Sequence, residues 1–220
     1  MSTTRGAFQQ ELAQLRSDVL RMADMVEESI QKSVEALQTQ NVALAEQVLA
    51  GDDKIDAMEH RIENRSLELL ALQQPMAVDL RAIGTALKMV TDLERMADHG
   101  VDIAKATKRM ADQPYMKPLV DIPRMAEIAR EMLRDGVTAY IEGDTALAKA
   151  IAERDHSLDH LFGQIFRELL TYMISDPRTI EQATQLLVVA SALERVGDHA
   201  TNLGEWVIYM VTGERMELND

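Results

Sequence analysis

The sequence predicts an all-α protein of six long helices, arranged as two tandem pseudo-symmetric three-helix bundles. Glycine and proline are scarce, with 10 and 5 in 220 residues, and aromatic residues make up only 4%, a composition that favours long helices over strands. Apolar residues recur at steps of three and four, the spacing of amphipathic helices. The heptad LERMADH at 93–99 returns as LERVGDH at 193–199, once in each half of the chain. A repeat of two at this distance predicts a duplicated domain.

The first half contains three apolar stripes of helical spacing. The first stripe consists of Phe8, Leu12, Leu15, Val19, Met22 and Val26. The second follows Asn41, an expected N-cap, and consists of Val48, Ile55, Met58, Ile62, Leu69 and Leu72. We expect Pro75 to be the first residue of the third helix. The buried face of that helix is predicted as Ile83, Ala86, Val90, Leu93, Ala97, Val101 and Ala104.

A proline-rich segment, DQPYMKPLVDIP at 112–123, separates the halves and is predicted to be a linker. The predicted bundles are residues 1–114 and 115–220. The fourth helix should bury Met125, Ile128, Met132 and Ala139 and end near Gly143. The fifth, capped by Asp144, should bury Leu147, Ile151, Leu158, Leu161, Ile165 and Tyr172. Asp176 and Pro177 should cap and start the sixth helix, which runs towards Gly213.

Charge and composition exclude several classes of protein. With 37 acidic against 23 basic residues, the formal net charge is −14, which argues against a nucleic-acid binder and suits cations or basic protein surfaces. The chain has no cysteine, so disulfides and thiolate metal sites are excluded. The N-terminal segment lacks the apolar core of a signal peptide, and no apolar run reaches the ~20 residues that span a bilayer. We therefore expect a cytoplasmic protein.

The repeated heptads place acidic residues on one side of a helix in each half. Glu94, Asp98 and Asp102 follow each other at steps of four, and like charges at this spacing repel. The second copy places Glu194, Asp198 and Asn202 on the corresponding arc. Either basic side chains from a neighbouring helix or a bound cation must compensate this repulsion.

The lengths of the helical hairpins predict what faces these acids. If helices two and three form a hairpin that turns near Pro75, two residues on opposite helices whose numbers average about 75 lie at the same height along the hairpin. In the second half the corresponding turn lies near Asp176. The predicted facing pairs are Asp56 with Glu94, Asp52 with Asp98, Asp159 with Glu194 and Asp155 with Asp198. Carboxylates converging in this way are costly unless cations bind, protons are retained or the groups splay into water. An all-oxygen set suits iron, manganese, magnesium or calcium better than a structural zinc.

Other polar residues receive simpler interpretations. We expect His99 and His199 to make surface or interhelix hydrogen bonds, and His156 and His160 to be solvated. Arg95 and Arg195 are expected to pair with neighbouring acids. Trp206 is expected to anchor a core or an interface.

Several enzyme classes are disfavoured. DDKID at 52–56 matches the DDxxD motif of prenyl-transferring enzymes, but those need a larger bundle with a deep apolar pocket. A ferritin-like di-iron site needs two Glu-x-x-His motifs, and only Glu153 with His156 provides one. Neither a glycine-rich phosphate loop nor a supported Ser-His-Asp or Cys-His arrangement is found, so the sequence does not predict an enzyme.

Taken with the duplication, two long segments resemble the PhoU family of bacterial phosphate-uptake regulators. They are QQPMAVDLRAIGTALKMVTDLERMADHG and SDPRTIEQATQLLVVASALERVGDHATNLGEWVIYMVTGE, and the likeness extends over nearly the whole chain. The resemblance implies two tandem three-helix bundles. It also implies clusters of iron, or of another divalent metal such as manganese, magnesium or zinc, on paired acidic motifs, with no organic cofactor. The implied metal ligands are Asp52, Asp56, Glu94, Asp98, Asp102, Asp155, Asp159, Glu194, Asp198 and Asn202. Because Asn202 is neutral, the second site should bind fewer or weaker cations.

The resemblance also implies a function. It predicts a non-enzymatic adaptor that represses phosphate uptake and the phosphate-starvation response. Its implied partners are the ATPase subunit of a phosphate ABC transporter and the sensor histidine kinase of a two-component system, and it is expected to form a homodimer, with membrane contact only through partners. A metal-dependent hydrolase and a metal-storage protein that use the same carboxylates stay open as alternatives.

Overall fold

A computed structural model describes residues 2–218, with side chains from residue 6 onward. The described chain contains six α-helices: α1 (Ser2–Thr39), α2 (Val42–Gln73), α3 (Val78–Met110), α4 (Asp121–Glu142), α5 (Thr145–Ser175) and α6 (Ile180–Thr212). A short 3-10 helix, Pro177–Thr179, precedes α6. Helices α1–α3 pack together, as do α4–α6, which confirms the predicted pair of three-helix bundles. The domain boundary between residues 114 and 115 stays a prediction.

Local sequence signals determine where most helices begin and end. The Asn41 side chain accepts a hydrogen bond from the Leu44 amide at 3.0 Å, and Asp144 accepts from the amides of Ala146 and Leu147. Gly143 (φ 68°) and Gly213 (φ 81°) adopt the left-handed conformation that ends α4 and α6. These predicted caps are confirmed.

The connection between α2 and α3 differs from the prediction. Gln74 (φ 46°, ψ 54°) is in the left-handed helical conformation and Ala77 (φ 47°, ψ −109°) also has a positive φ, and the two enclose Pro75 in a loop. Pro75 therefore is not the first residue of the third helix, which begins at Val78. Leu72, predicted to be buried, is 69% exposed because α2 is close to its end there and has passed the core.

The linker is shorter than predicted. Residues 111–120 are not helical, but Asp121, Ile122 and Pro123 form the first turn of α4. Proline is tolerated there because the first turn of a helix has no internal partners for its amides. The segment is fixed from both sides: the Tyr115 hydroxyl donates to the Leu37 carbonyl, and the Met116 amide donates to Gln182.

The two bundles share one hydrophobic core. A single cluster of buried apolar side chains runs from α1 to α6. Helices α3 and α6 make the most extensive interhelix contact, and they run antiparallel, since Arg81 bonds the Met210 carbonyl while Arg109 bonds Gln185. This pairing brings the two repeated heptads to one place.

No helix among residues 2–218 is both long and apolar enough to cross a membrane.

Candidate functional site

The first acidic cluster lies between α2 and α3, in the predicted register. Burial raises the pKa of Asp52, and so do the negative charges of Asp56 and Asp98. Burial also raises the pKa of Glu94, with further contributions from Asp98 and Asp56. Such mutual influence requires the α2 and α3 carboxylates to lie close together. The predicted facing of Asp52 with Asp98, and of Asp56 with Glu94, is therefore confirmed.

This first cluster includes an acid that sequence reasoning missed, and it is partly neutralised. Burial and nearby carboxylates, Asp56 among them, raise the pKa of Glu59, which contributes in turn to the raised pKa of Glu94. Its position three residues after Asp56, on the same face of α2, was the available signal. Arg95 lies 3.5 Å from Glu94 and 3.3 Å from Asp98. This pairing was predicted for Arg95.

The second acidic cluster lies between α5 and α6 and is more deeply buried at its centre. Asp155 is only 6% exposed, and burial together with the charges of Asp159 and Asp198 raises its pKa to about 6. The pKa values of Glu194 and Asp198 are also raised, first by burial and then by neighbouring carboxylates. The predicted facing of α5 and α6 acids is confirmed here too.

The neighbourhood of Asp155 explains one letter of the repeated heptad. A Cβ atom at Gly197 would lie 2.3 Å from the Leu158 side chain and 3.2 Å from Asp155 Oδ1. The first heptad has Ala97 at this place, whereas an alanine in the second would require the buried Leu158 side chain to shift. Asp155 Oδ1 is buried and has no hydrogen-bond partner within the described part of the chain. An orphaned, buried carboxylate oxygen is costly and fits a cation or a retained proton.

The clusters are not preformed metal sites. Within residues 2–218, no three His, Asp or Glu side chains stand in an arrangement that holds a metal ion. The donor chemistry nevertheless fits a hard cation, because all the acids present oxygen and Asp155 Oδ1 is unpaired. Metal ligation by these residues stays a prediction.

Asp102 and Asn202, the two remaining predicted ligands, lie towards the contact between the bundles. Asp102 is 4.0 Å from His99 Nδ1 and 3.8 Å from Lys105. Asn202 donates a hydrogen bond to Asp92 Oδ1 at 3.1 Å. Their described contacts do not join the paired motifs, and their role as ligands stays a prediction.

A cleft of about 650 Å³ lies between α3 and α6, where the two heptads meet. It is lined by Arg95, Asp98, His99, Asp102, Lys105, Arg195, Asp198 and His199. Three of these residues are acidic and three are permanently basic, so their formal charges balance. The rings of His99 and His199 are neighbours in this lining, with centroids 5.7 Å apart and ring planes tilted by 32°.

Asp92 joins the two bundles beside this cleft, and sequence reasoning missed it. His199 Nδ1 lies 2.9 Å from Asp92 Oδ1, and Trp206 Nε1 donates to Asp92 Oδ2 at 3.2 Å. With Asn202, three side chains of α6 thus converge on one carboxylate of α3. The only sequence signal was that Ala192 stands at the matching place in the second half, a break in the repeat.

The two repeated histidines differ in environment. Burial, together with the positive charge that His199 can carry, lowers the pKa of His99 to about 4, so His99 is neutral at pH 7. His199 instead makes the predicted interhelix hydrogen bond, to Asp92. His156 and His160 are exposed, as expected, and Trp206 anchors the α3–α6 interface.

Fold and site together define a duplicated helical-bundle protein with a buried junction and one acidic cluster per bundle. Comparison with known families gives this class a name: the PhoU domain matches residues 19–107 and again residues 122–207. The chain belongs to the PhoU family.

Similar proteins cover the full length of the chain. A Clostridium acetobutylicum protein, the phosphate-specific transport system accessory protein PhoU homolog, is 43% identical over 218 residues, which is 99% of this chain and 100% of that protein. The Aquifex aeolicus protein of the same name is 46% identical over 204 residues, 93% of this chain and 92% of its own.

Solved structures agree. The crystal structure of PhoU from Pseudomonas aeruginosa superposes with a TM-score of 0.90 at 35% identity, covering 94% of this chain and 100% of that one. The phosphate transport system regulatory protein PhoU from Streptococcus pneumoniae gives 0.89 at 29% identity, covering 95% of this chain and 99% of that one.

Proposed function

We propose that this protein is a regulatory accessory of a phosphate-specific transport system, which restrains phosphate uptake and the phosphate-starvation response when phosphate is plentiful. One observation carries the proposal. Relatives that are 43% and 46% identical, and that match 99% and 93% of this chain, bear the name of phosphate-specific transport system accessory proteins. The matches cover both bundles, so they concern the whole described architecture and not a shared module.

The protein acts as an adaptor between two partners, the ATPase subunit of the phosphate ABC transporter and a sensor histidine kinase. A helix of about 30 residues extends about 45 Å, and the common core makes both bundles parts of one scaffold. The net charge of −14 favours docking on basic protein surfaces. The adaptor works in the cytoplasm. It forms a homodimer.

Divalent metal ions, iron among them, contribute by neutralising the acidic clusters. Asp52, Asp56, Glu94 and Asp98 would hold ions at the first cluster, and Asp155, Asp159, Glu194 and Asp198 at the second. Bound cations supply positive charge that offsets the repulsion between carboxylates. The raised pKa of Asp155 and its unpaired Oδ1 support this assignment, because both are relieved by a nearby positive charge.

A co-purification experiment tests the adaptor role. Tagged protein is expressed with the intact transporter and the full-length kinase, and each partner should be retained on the tag after detergent extraction. The matched variants reverse the charge of exposed residues in one bundle at a time. Each variant should weaken the binding of one partner more than the binding of the other. Failure to retain either partner when both are intact would contradict the adaptor role.

The two alternatives differ from this proposal in what they predict. A metal-dependent hydrolase should turn over a phosphate ester in the presence of manganese or magnesium, and Asp98→Asn with Asp198→Asn should abolish that turnover. A storage protein should bind many ions per chain. We expect neither turnover nor more than a few ions.

A further inference from the structure

We propose that His99 and His199 form a metal site of a different kind, a two-imidazole site for a borderline divalent cation such as Cu²⁺, Ni²⁺, Co²⁺ or Zn²⁺. The site would lie in the cleft between the bundles, with one ligand from each repeated heptad. The ring centroids are 5.7 Å apart. Two imidazoles that share one ion at about 2.0–2.1 Å leave their centroids about 5–6 Å apart, so the observed spacing fits.

The hydrogen bonds of His199 leave one ring nitrogen free for a ligand. Asp92 Oδ1 lies 2.9 Å from Nδ1, which leaves Nε2 uncommitted. A carboxylate that holds the other nitrogen is the usual companion of a metal-bound histidine, since it fixes the tautomer and the ring orientation. Asp92 is itself held on both oxygens, by Asn202 at 3.1 Å and by Trp206 at 3.2 Å.

His99 has a looser version of the same arrangement. Its Nδ1 lies 4.0 Å from Asp102 Oδ2, so a small rotation of Asp102 completes the hydrogen bond and leaves Nε2 for the shared ion. Only 12% of the His99 side chain is exposed, so the ring is held in place by packing.

The cleft can accept a dication despite its basic residues. Arg95 is paired with Asp98, and Lys105 with Asp102, which leaves Asp198 to offset Arg195. The volume of about 650 Å³ leaves room for waters that fill the remaining coordination positions. No third protein ligand is in place in the described chain. Imidazole selects borderline ions, whereas the carboxylate clusters select hard ones, so the two kinds of site should fill with different metals.

The five histidines of the chain permit a clean test. His60, His156 and His160 are exposed, and the variant His60→Gln/His156→Gln/His160→Gln leaves His99 and His199 as the remaining imidazoles. Cu²⁺ is added to metal-free, full-length protein at one equivalent, and electron paramagnetic resonance reports nitrogen ligands through their hyperfine coupling. We expect a spectrum with two equivalent imidazole nitrogens.

Further substitutions in this background assign the ligands. His99→Gln or His199→Gln should remove one nitrogen and weaken Cu²⁺ affinity at least tenfold, and Asp92→Asn should weaken it 10- to 100-fold while keeping both nitrogens. Asp52→Asn/Asp155→Asn, which alters the acidic clusters, should leave the nitrogen signal unchanged. An oxygen-only spectrum in the variant that keeps only His99 and His199, or nitrogen coupling that survives the loss of both, would overturn the proposal. The oxygen-only outcome is measured without replacing His99 or His199, so it does not depend on whether variants at those two positions fold.

Discussion

Asp92 in α3 and His199 in α6 meet at 2.9 Å and tie together the two halves of the duplicated chain. Their contact is unsymmetrical, because Ala192 stands where a second Asp92 would be expected and His99 has no such partner at hydrogen-bonding distance. The two bundles are similar, and the difference at this one position provides a polar connection between them.

The first prediction concerns this connection. Asp92→Ala removes the acceptor of three α6 donors, and we expect it to lower the free energy of unfolding by about 1–3 kcal/mol. Urea unfolding followed by the fluorescence of Trp206, the chain's single tryptophan, measures this directly. The control is Asp24→Ala, at an exposed position of α1. Equal stability of the two variants would show that the Asp92 contacts contribute nothing.

The second prediction concerns the glycine of the second heptad. Gly197→Ala should destabilise the protein by about 1 kcal/mol, because moving the buried Leu158 methyl group that lies 2.3 Å from the added Cβ costs more than alanine gains in helix propensity. Gly51→Ala is the matched control, because a Cβ there meets nothing within 4 Å and alanine favours a helix. The Tm of thermal unfolding should therefore be lower than that of wild type for Gly197→Ala and slightly higher for Gly51→Ala. A Gly197→Ala protein as stable as wild type would contradict the close packing of α5 on α6.

The third prediction concerns pH. In the folded protein burial raises the pKa of Asp155 to about 6, above its ordinary 3.8. The fold therefore favours the neutral acid: the stabilisation is fully present below pH 4 and is lost as the pH rises through 6. Without metal, stability should fall between pH 4.5 and 7, and Asp155→Asn should remove about 1 kcal/mol of that fall after solvent screening is allowed for.

Urea unfolding at a series of pH values, in the presence of a chelator, measures this dependence. Glu153→Gln, at an exposed position two residues earlier on α5, is the control and should keep the wild-type profile. An Asp155→Asn profile that matches wild type would mean that Asp155 is not protonated in the fold.

The fourth prediction concerns metal binding to the acidic clusters. Manganese or ferrous ion at 100 times its dissociation constant should add about 2.7 kcal/mol of stability for each cluster that binds one ion, which raises Tm by several degrees. Asp155→Asn/Asp198→Asn should lose the part of this gain that belongs to the second cluster, while Glu153→Gln should keep it. A full gain in the double variant would place the bound ions elsewhere.

Much of the fold was predictable because helix signals are local. The stripe of α1, from Phe8 to Val26, is buried as predicted, and the caps Asn41 and Asp144 lie where the sequence placed them. The facing of α2 acids with α3 acids followed from hairpin length alone. Pro75 was misassigned because two residues with positive φ, Gln74 and Ala77, decide the geometry of that loop, and neither residue type indicates such a conformation.

The junction between the bundles was not predictable from the sequence. Hairpin lengths say which residues lie level within a bundle, but they do not say how α3 rotates against α6. The role of Asp92 and the direction of the Asn202 amide both depend on that rotation. Only contacts between residues more than 100 positions apart reveal them.

The measurement that tests the central claim most directly is a phosphate-starvation promoter reporter in cells that lack this gene, grown in phosphate-rich medium. We predict high reporter output that returns to the low level when the wild-type gene is supplied. Low output in the deletion strain, unchanged by the gene, would contradict a repressive role in phosphate regulation.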